Sequence, residues 1–285
     1  MKNLKEKKSE MDKEERRVYI TNGLSDHYTE ALETFKKNQI VGLWLQGSQN
    51  YNLDTADSDI DTKLIVTPTL REVAMVNTPI STTHFRANNE HTDWKDIRLY
   101  METFRKQNLN FLEILFTDFF AINPLYIPEW NRLLENREAI AHMNPFRAMK
   151  SMEGIAGEKY HAMEHRYPSK IDIIDTYGYD GKQVHHLLRV EDYMTRYKNG
   201  EPYASCLKPT FSLVDKLMSY KLQQVPLEVA RIEAKESLAR IKAMAKDFCS
   251  KVTDVEDEEM RALLDDVCYK IIEISLRKEL TDGLD

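Results

Sequence analysis

The chain is short of the residues that staple small secreted or metal-bound folds. Its three cysteines, Cys206, Cys249 and Cys268, are odd in number and widely spaced. They form no C-x-x-C pair and no disulfide framework, so reduced cysteines in a cytoplasmic protein are expected. The eight histidines and three cysteines show no zinc-ligand spacing. No run of about eighteen apolar residues occurs, so no membrane span is expected. Residues Met1 to Arg17 mix charges of both signs and lack the apolar segment of a signal peptide. Nine Gly and nine Pro are too few for a low-complexity chain. Surplus positive charge is missing too. The net charge of −7 argues against broad, non-specific binding of a phosphate backbone, although a local basic cleft is still compatible with it.

What is present is a globular composition, 42% hydrophobic and 31% charged, in a chain of 285 residues. That suits one large domain or two of ordinary size. Residues 1–25 read as a charged leader, polar or helical at its start. Asp26 to Lys37 carries Tyr28, Ala31, Leu32 and Phe35 at helical spacing. Gln39 to Leu45 and Ile60 to Val66 are short apolar runs that read as buried strands. Leu70 to Val76 suits a short helix. Ile80 to Phe85 and Glu90 to Lys95 read as two more strands, and Asp96 to Lys106 and Phe111 to Phe119 as helices. Residues 26–120 thus predict an α+β core, a small sheet with helices on one face. From there to residue 285 the pattern is almost wholly helical, with amphipathic stretches over Pro145–Arg166, Gln183–Tyr197, Pro226–Phe248 and Met260–Leu276.

The stretch that carries chemistry lies between the first two strands. Gly47-Ser48 follows the first apolar run, and after ten intervening residues Asp59-Ile60-Asp61 leads into the second. On a strand, Asp59 and Asp61 would share one face with Ile60 turned to the core. Two neighbouring carboxylates repel unless a cation sits between them. Magnesium takes oxygen ligands and keeps phosphates as co-ligands. The pair therefore suits a two-metal site, and Gly-Ser suits a backbone that approaches a phosphate closely, helped by a helix start just after it. Taken alone, D-x-D is more often a surface turn. A third carboxylate could come from Asp93 or Asp96. Asp93 would share a strand face with His91 and Lys95. Asp96 would share the other face with Trp94, at the position of an N-cap. Asp93 is therefore the expected third carboxylate and Asp96 the expected cap.

Apolar strand, Gly-Ser, ten residues, D-h-D, apolar strand resembles the signature of the DNA polymerase β-like nucleotidyltransferase superfamily. Three further stretches, Lys106 to Leu115, Tyr177 to Arg189 and Asn199 to Tyr203, make the chain most similar to the RNA-ligase-associated predicted nucleotidyltransferases of bacteria and bacteriophages. The resemblance spans about Val41 to Phe248. It implies a polymerase β-type core followed by a helical domain. It also implies metal-dependent transfer of a nucleoside monophosphate from an NTP to a hydroxyl acceptor, with Mg²⁺ or Mn²⁺. Carried over by residue, Asp59, Asp61 and Asp93 would bind metal and catalyse, and Gly47 and Ser48 would hold the triphosphate. Lys182, His186 and Arg189 match a K-x-x-x-H-x-x-R block on one helix face, implied to bind nucleotide phosphates. Against the pattern, Asn52 stands for a usual Gly, Leu109 for a Pro and Gly181 for a Pro. Asn tolerates positive φ, so the turn at Asn52 is expected to survive. The acceptor stays open among an RNA end, in repair or modification, a protein hydroxyl and a small molecule. A non-catalytic nucleotide sensor on the same fold is the contrasting reading. No membrane partner is implied, and the oligomeric state is not legible.

Overall fold

The computed structural model describes residues 12–55, 58–86, 88 and 90–282. It is a mixed α and β protein that divides into two compact units. The first unit contains the chain through Arg105, then Asn110–Met143 and the segment from Glu256 on. The second contains Lys106–Leu109 and Asn144–Val255. Among the described residues no helix is long and apolar enough to cross a membrane.

The first unit is built on a five-stranded sheet of order β3-β4-β2-β1-β5. Its strands are β1 Ile40–Gln46, β2 Asp61–Val66, β3 Ser81–Phe85, β4 His91–Asp96 and β5 Phe120–Ile122. β1 pairs antiparallel with β2 and β5, and β3 antiparallel with β4. β2 and β4 run parallel, with Lys63 opposite Asp93. A parallel neighbour cannot be reached by a tight hairpin. The chain from β2 to β4 accordingly passes through the short helix Leu70–Ala74 and the edge strand β3.

Both faces of the sheet are covered, where helices on one face were expected. The helix Lys13–Ala31 lays Ile20, Leu24 and Ala31 against Leu43, Leu45, Leu64, Val66 and Trp94. On the other face Trp44 packs on Trp130 of the helix Ile127–Glu135, ring centroids 4.3 Å apart. β1 is therefore buried along six consecutive residues, and an unbroken apolar run is what a strand covered on both faces requires. The expected leader differs as well. Its first eleven residues lie outside the described residues, but residues 13–25 belong to the Lys13–Ala31 helix, whose capping box is Asp12 with Glu15. Phe111 to Phe119, expected as a helix, is a single helical turn (Leu109–Leu112) and a 3₁₀ turn (Glu113–Leu115) that lead into β5.

The unit is closed by its last helix, Glu258–Asp282, which a boundary near residue 120 would have placed with the other helices. Ser275 Oγ lies 2.6 Å from Thr67 Oγ1 and donates to the Asn38 carbonyl at 3.1 Å. Arg132 of the Trp130 helix pairs with Asp266 at 2.7 Å. These contacts join segments more than 100 residues apart in sequence, which local periodicity does not report.

The second unit packs the helices Pro145–Ala162, Gly181–Lys198, Val214–Lys221 and Leu227–Cys249. Gly181 opens the second of these beneath Tyr220. A Cβ there would lie 2.0 Å from the Tyr220 carbonyl oxygen, and the Gly181 N–H donates to Gln223 Oε1. A proline at this position would lose that donor. Gly181→Ala gains helix propensity of about 1 kcal/mol but overpacks against backbone, which costs about 3 kcal/mol. The overpacking wins, so denaturant unfolding is expected to show a net loss of about 2 kcal/mol.

Candidate active site

β1 ends at Gln46 and the chain turns at once. Gly47 adopts φ 91° and ψ −159°, a region essentially restricted to glycine. Ser48–Tyr51 forms one 3₁₀ turn, where a helix start was expected, and Asn52 closes it in the left-handed region at φ 59°. Asn is among the few side chains that visit this region readily, so the usual glycine is replaced without losing the turn. Within the following loop Ser58 Oγ accepts from the Thr55 N–H at 2.9 Å, and the buried Gln49 Nε2 ties the loop back to the turn by donating to the Asp59 carbonyl at 2.6 Å.

β2 begins at Asp61, opposite Gln46 on β1. Asp59 precedes the strand and is exposed, so the pleat orients Asp61 but not Asp59. The side chains of Asp61 and Lys63 alternate onto one face of β2. The parallel register brings His91, Asp93 and Lys95 of β4 onto the same face. Thr92, Trp94 and Asp96 are buried on the opposite face, where Asp96 accepts from the Arg98 N–H at 2.8 Å and pairs with its guanidinium at 2.7 Å. Asp96 thus caps the helix Ile97–Arg105, and Asp93 is the one that shares a face with Asp61.

Each of these two carboxylates already has a cationic or imidazole partner. Asp61 Oδ1 lies 2.8 Å from His91 Nδ1 and also accepts from the His91 backbone N–H at 3.3 Å. Gln46 Nε2 sits 3.1 Å from the other ring nitrogen of His91. Asp93 Oδ2 is 3.2 Å from Lys63 Nζ, and Asp93 Oδ1 accepts from Thr83 Oγ1 at 2.7 Å. Lys63 is almost fully buried, with its ammonium 4.3 Å from the Phe111 ring centre; the Lys95 ammonium stands 4.8 Å from the same ring. Burial pushes the Lys63 ammonium below its ordinary pKa, although Asp93 pulls the other way. Burial also works against the Asp93 carboxylate, but the Lys63 charge and the Thr83 hydroxyl outweigh it and hold Asp93 below its usual value. An open cleft of about 290 Å³ adjoins this corner, lined in part by Ser81, Thr83, Asp93, Lys95 and Phe111.

Asp61 and Asp93 are hard oxygen donors on adjacent strands, and that donor chemistry fits a divalent cation of the magnesium type. Among the described residues, no three His, Cys, Asp or Glu side chains stand close enough to hold a metal ion as they are placed. A metal here would exchange the His91 and Lys63 pairings for metal–oxygen bonds.

Lys182, His186 and Arg189 lie on the helix Gly181–Lys198 of the second unit. Lys182 is exposed and His186 half-buried, while Arg189 is buried and donates to the Leu207 carbonyl at 3.2 Å. Burial, with His185 and Arg189 nearby, pushes the His186 imidazole well below its ordinary pKa. His185 turns its Nδ1 to the Leu217 carbonyl at 3.0 Å and is a packed, hydrogen-bonded residue.

The sequence pattern did not single out Lys63, Gln49 or Glu90. Lys63 had a signal, since it follows Asp61 at same-face spacing. Gln49 and Glu90 had none, because their contacts with the Asp59–Ile60 peptide form only once the loop is folded. No protein-family model matches the chain, and no curated protein matches it.

The Asp61 contact raises the His91 pKa above its ordinary value, against burial. A raised pKa means that the pair stabilises the fold at low pH and that this stability is lost as pH rises through the His91 midpoint. NMR titration of protein stripped of divalent ions with a chelator should place that midpoint above about 6.5. Asp61→Asn should move it down.

Proposed function

We propose that the protein is a metal-dependent nucleotidyltransferase of the polymerase β type, moving a nucleoside monophosphate from an NTP to a hydroxyl acceptor. The observation that carries this reading is the shared face of Asp61 and Asp93 on parallel neighbours β2 and β4. That face ends at the glycine-restricted turn after Gln46, the residue paired with Asp61. A backbone turn beside two carboxylates on one sheet face is what triphosphate and metal need together.

In this reading Asp59, Asp61 and Asp93 would hold Mg²⁺ or Mn²⁺, which would lower the pKa of the acceptor hydroxyl and neutralise phosphate charge. The chain's own residues do the rest. Gly47 leaves room for the triphosphate and Ser48 offers its hydroxyl and N–H. Asp93 accepts a hydrogen bond from the acceptor hydroxyl and orients its lone pair toward the α-phosphorus. The acceptor O–P bond forms as the bond to the β-phosphate oxygen breaks. Pyrophosphate leaves, and the hydroxyl proton passes to solvent. The acceptor is an RNA end or a protein hydroxyl, since the chemistry of the carboxylates serves either.

One observation favours a second reading, a nucleotide sensor that binds without transfer. The Lys63–Asp93 ion pair satisfies the carboxylate without any metal. A single assay separates the two. Purified protein with Mg²⁺ or Mn²⁺ and labelled NTPs should label an RNA or protein acceptor, and Asp59→Ala, Asp61→Ala or Asp93→Ala should abolish labelling. Asp96→Ala should keep transfer and lose about 1–2 kcal/mol of stability, as for a lost helix cap. NTP binding without transfer to any acceptor would favour the sensor, and absence of metal-dependent NTP binding would remove both readings.

A further inference from the structure

The peptide group between Asp59 and Ile60 is held at both of its polar atoms. Its carbonyl oxygen accepts from Gln49 Nε2 at 2.6 Å. Its N–H donates to Glu90 Oε1 at 3.4 Å. The peptide is planar, so fixing both ends fixes the rotation about the bonds on either side of it. Those rotations, ψ of Asp59 and φ of Ile60, set where the Asp59 side chain is aimed relative to Asp61, the first residue of β2. Strand geometry cannot do this for Asp59, which precedes β2.

Both holding groups are themselves held. Gln49 and Glu90 are each 8% exposed, so water competes little for their polar ends. Glu90 Oε2 accepts from His27 Nε2 and from Arg86 Nη1, each at 3.1 Å. Burial opposes ionisation of Glu90, yet His27, Asn88 and the Ile60 N–H bring its pKa down to about 2, so it stays an acceptor at neutral pH. His27 Nδ1 reaches Thr62 Oγ1 at 2.8 Å and Thr92 Oγ1 at 3.0 Å, which ties the network to β2 and β4. Arg86 pairs with Glu30 at 2.6 Å. From below, Ile60 is buried against Gly23, where a Cβ would lie 2.3 Å from the Ile60 Cδ1. His27, Glu30 and Gly23 all belong to the helix Lys13–Ala31.

We infer that Gln49 and Glu90 are positioning residues that clamp the Asp59–Ile60 peptide and so aim the Asp59 carboxylate beside that of Asp61, which the strand already orients. The metal that those carboxylates take rests on the nucleotidyltransferase reading; the clamp itself does not. Groups that orient metal ligands change affinity or activity by about 10–100-fold when removed. Aiming is needed here because two neighbouring carboxylates repel and, left to a flexible loop, would turn apart.

The test uses the full chain and Gln49→Ala, Glu90→Ala and Glu90→Gln, the last keeping an oxygen for the Ile60 N–H. Amide hydrogen exchange of Ile60, followed by NMR in metal-free protein, should speed up in Gln49→Ala and Glu90→Ala and stay slow in Glu90→Gln. Mn²⁺ binding in the presence of NTP, read by electron paramagnetic resonance, should weaken about 10–100-fold in the two alanine variants and recover in Glu90→Gln. Near-UV circular dichroism checks that each variant is folded. If Glu90→Ala does not fold, Gln49→Ala decides, since its side chain stands outside the His27 network. Unchanged Ile60 exchange in folded Gln49→Ala overturns the clamp, as does Mn²⁺ affinity within about twofold of wild type. If Asp59→Ala and Asp61→Ala leave Mn²⁺ binding unchanged, the nucleotidyltransferase reading fails, and Ile60 exchange still decides the clamp.

Discussion

The parallel register of β2 against β4 is the constraint on which the candidate site depends. Because side chains alternate along a strand, pairing Lys63 with Asp93 puts Asp61, Lys63, His91, Asp93 and Lys95 on one face. A slip by one residue would turn Asp93 into the core and bring Trp94 out. The slip is resisted from the other face, where Trp94 sits with Leu43, Leu45 and Leu64 in the core, and where Asp96 is committed to the Ile97–Arg105 helix. Apolar packing on one face therefore sets the chemistry of the other.

The same sheet explains why the polar groups near the carboxylates are so heavily paired. Lys63 is almost fully buried, and a buried ammonium without a partner would cost several kcal/mol. Asp93 supplies that partner and Phe111 an aromatic wall. The Asp61–His91 pair is more open, and the Asp61 contact raises the His91 pKa. Beneath them, the helix Lys13–Ala31 contributes apolar cover through Ile20 and Leu24 and polar support through His27 and Glu30. One helix thus stabilises the sheet and fixes the loop that carries Asp59.

Much of the fold was legible in the chain. β1 and β2 show as apolar runs because they are buried, and the Ile97–Arg105 helix shows as a three-and-four pattern because it is half-buried. β5 is three residues long and half-exposed, and so gave no pattern of its own. Coverage of both sheet faces was hidden, because the Trp130 helix and Glu258–Asp282 arrive from distant parts of the chain. The polar stretch at 13–25 looked like a leader because it buries few residues, Ile20 and Leu24 among them.

By itself, the sequence determined the local devices. Gly47 is where a glycine-restricted turn can form, Asn52 is where a left-handed residue can close it, and Asp96 is a cap ahead of an apolar helical run. These depend on φ, ψ and near neighbours, which adjacent residue types encode. The tertiary structure alone decided that Lys63 faces Asp93, that His91 meets Asp61, and that Gln49 and Glu90 grip one peptide from opposite sides. Those relations depend on strand register and on helices packed from afar, and no local propensity carries them, because each partner acquires its role only when burial removes water as the alternative.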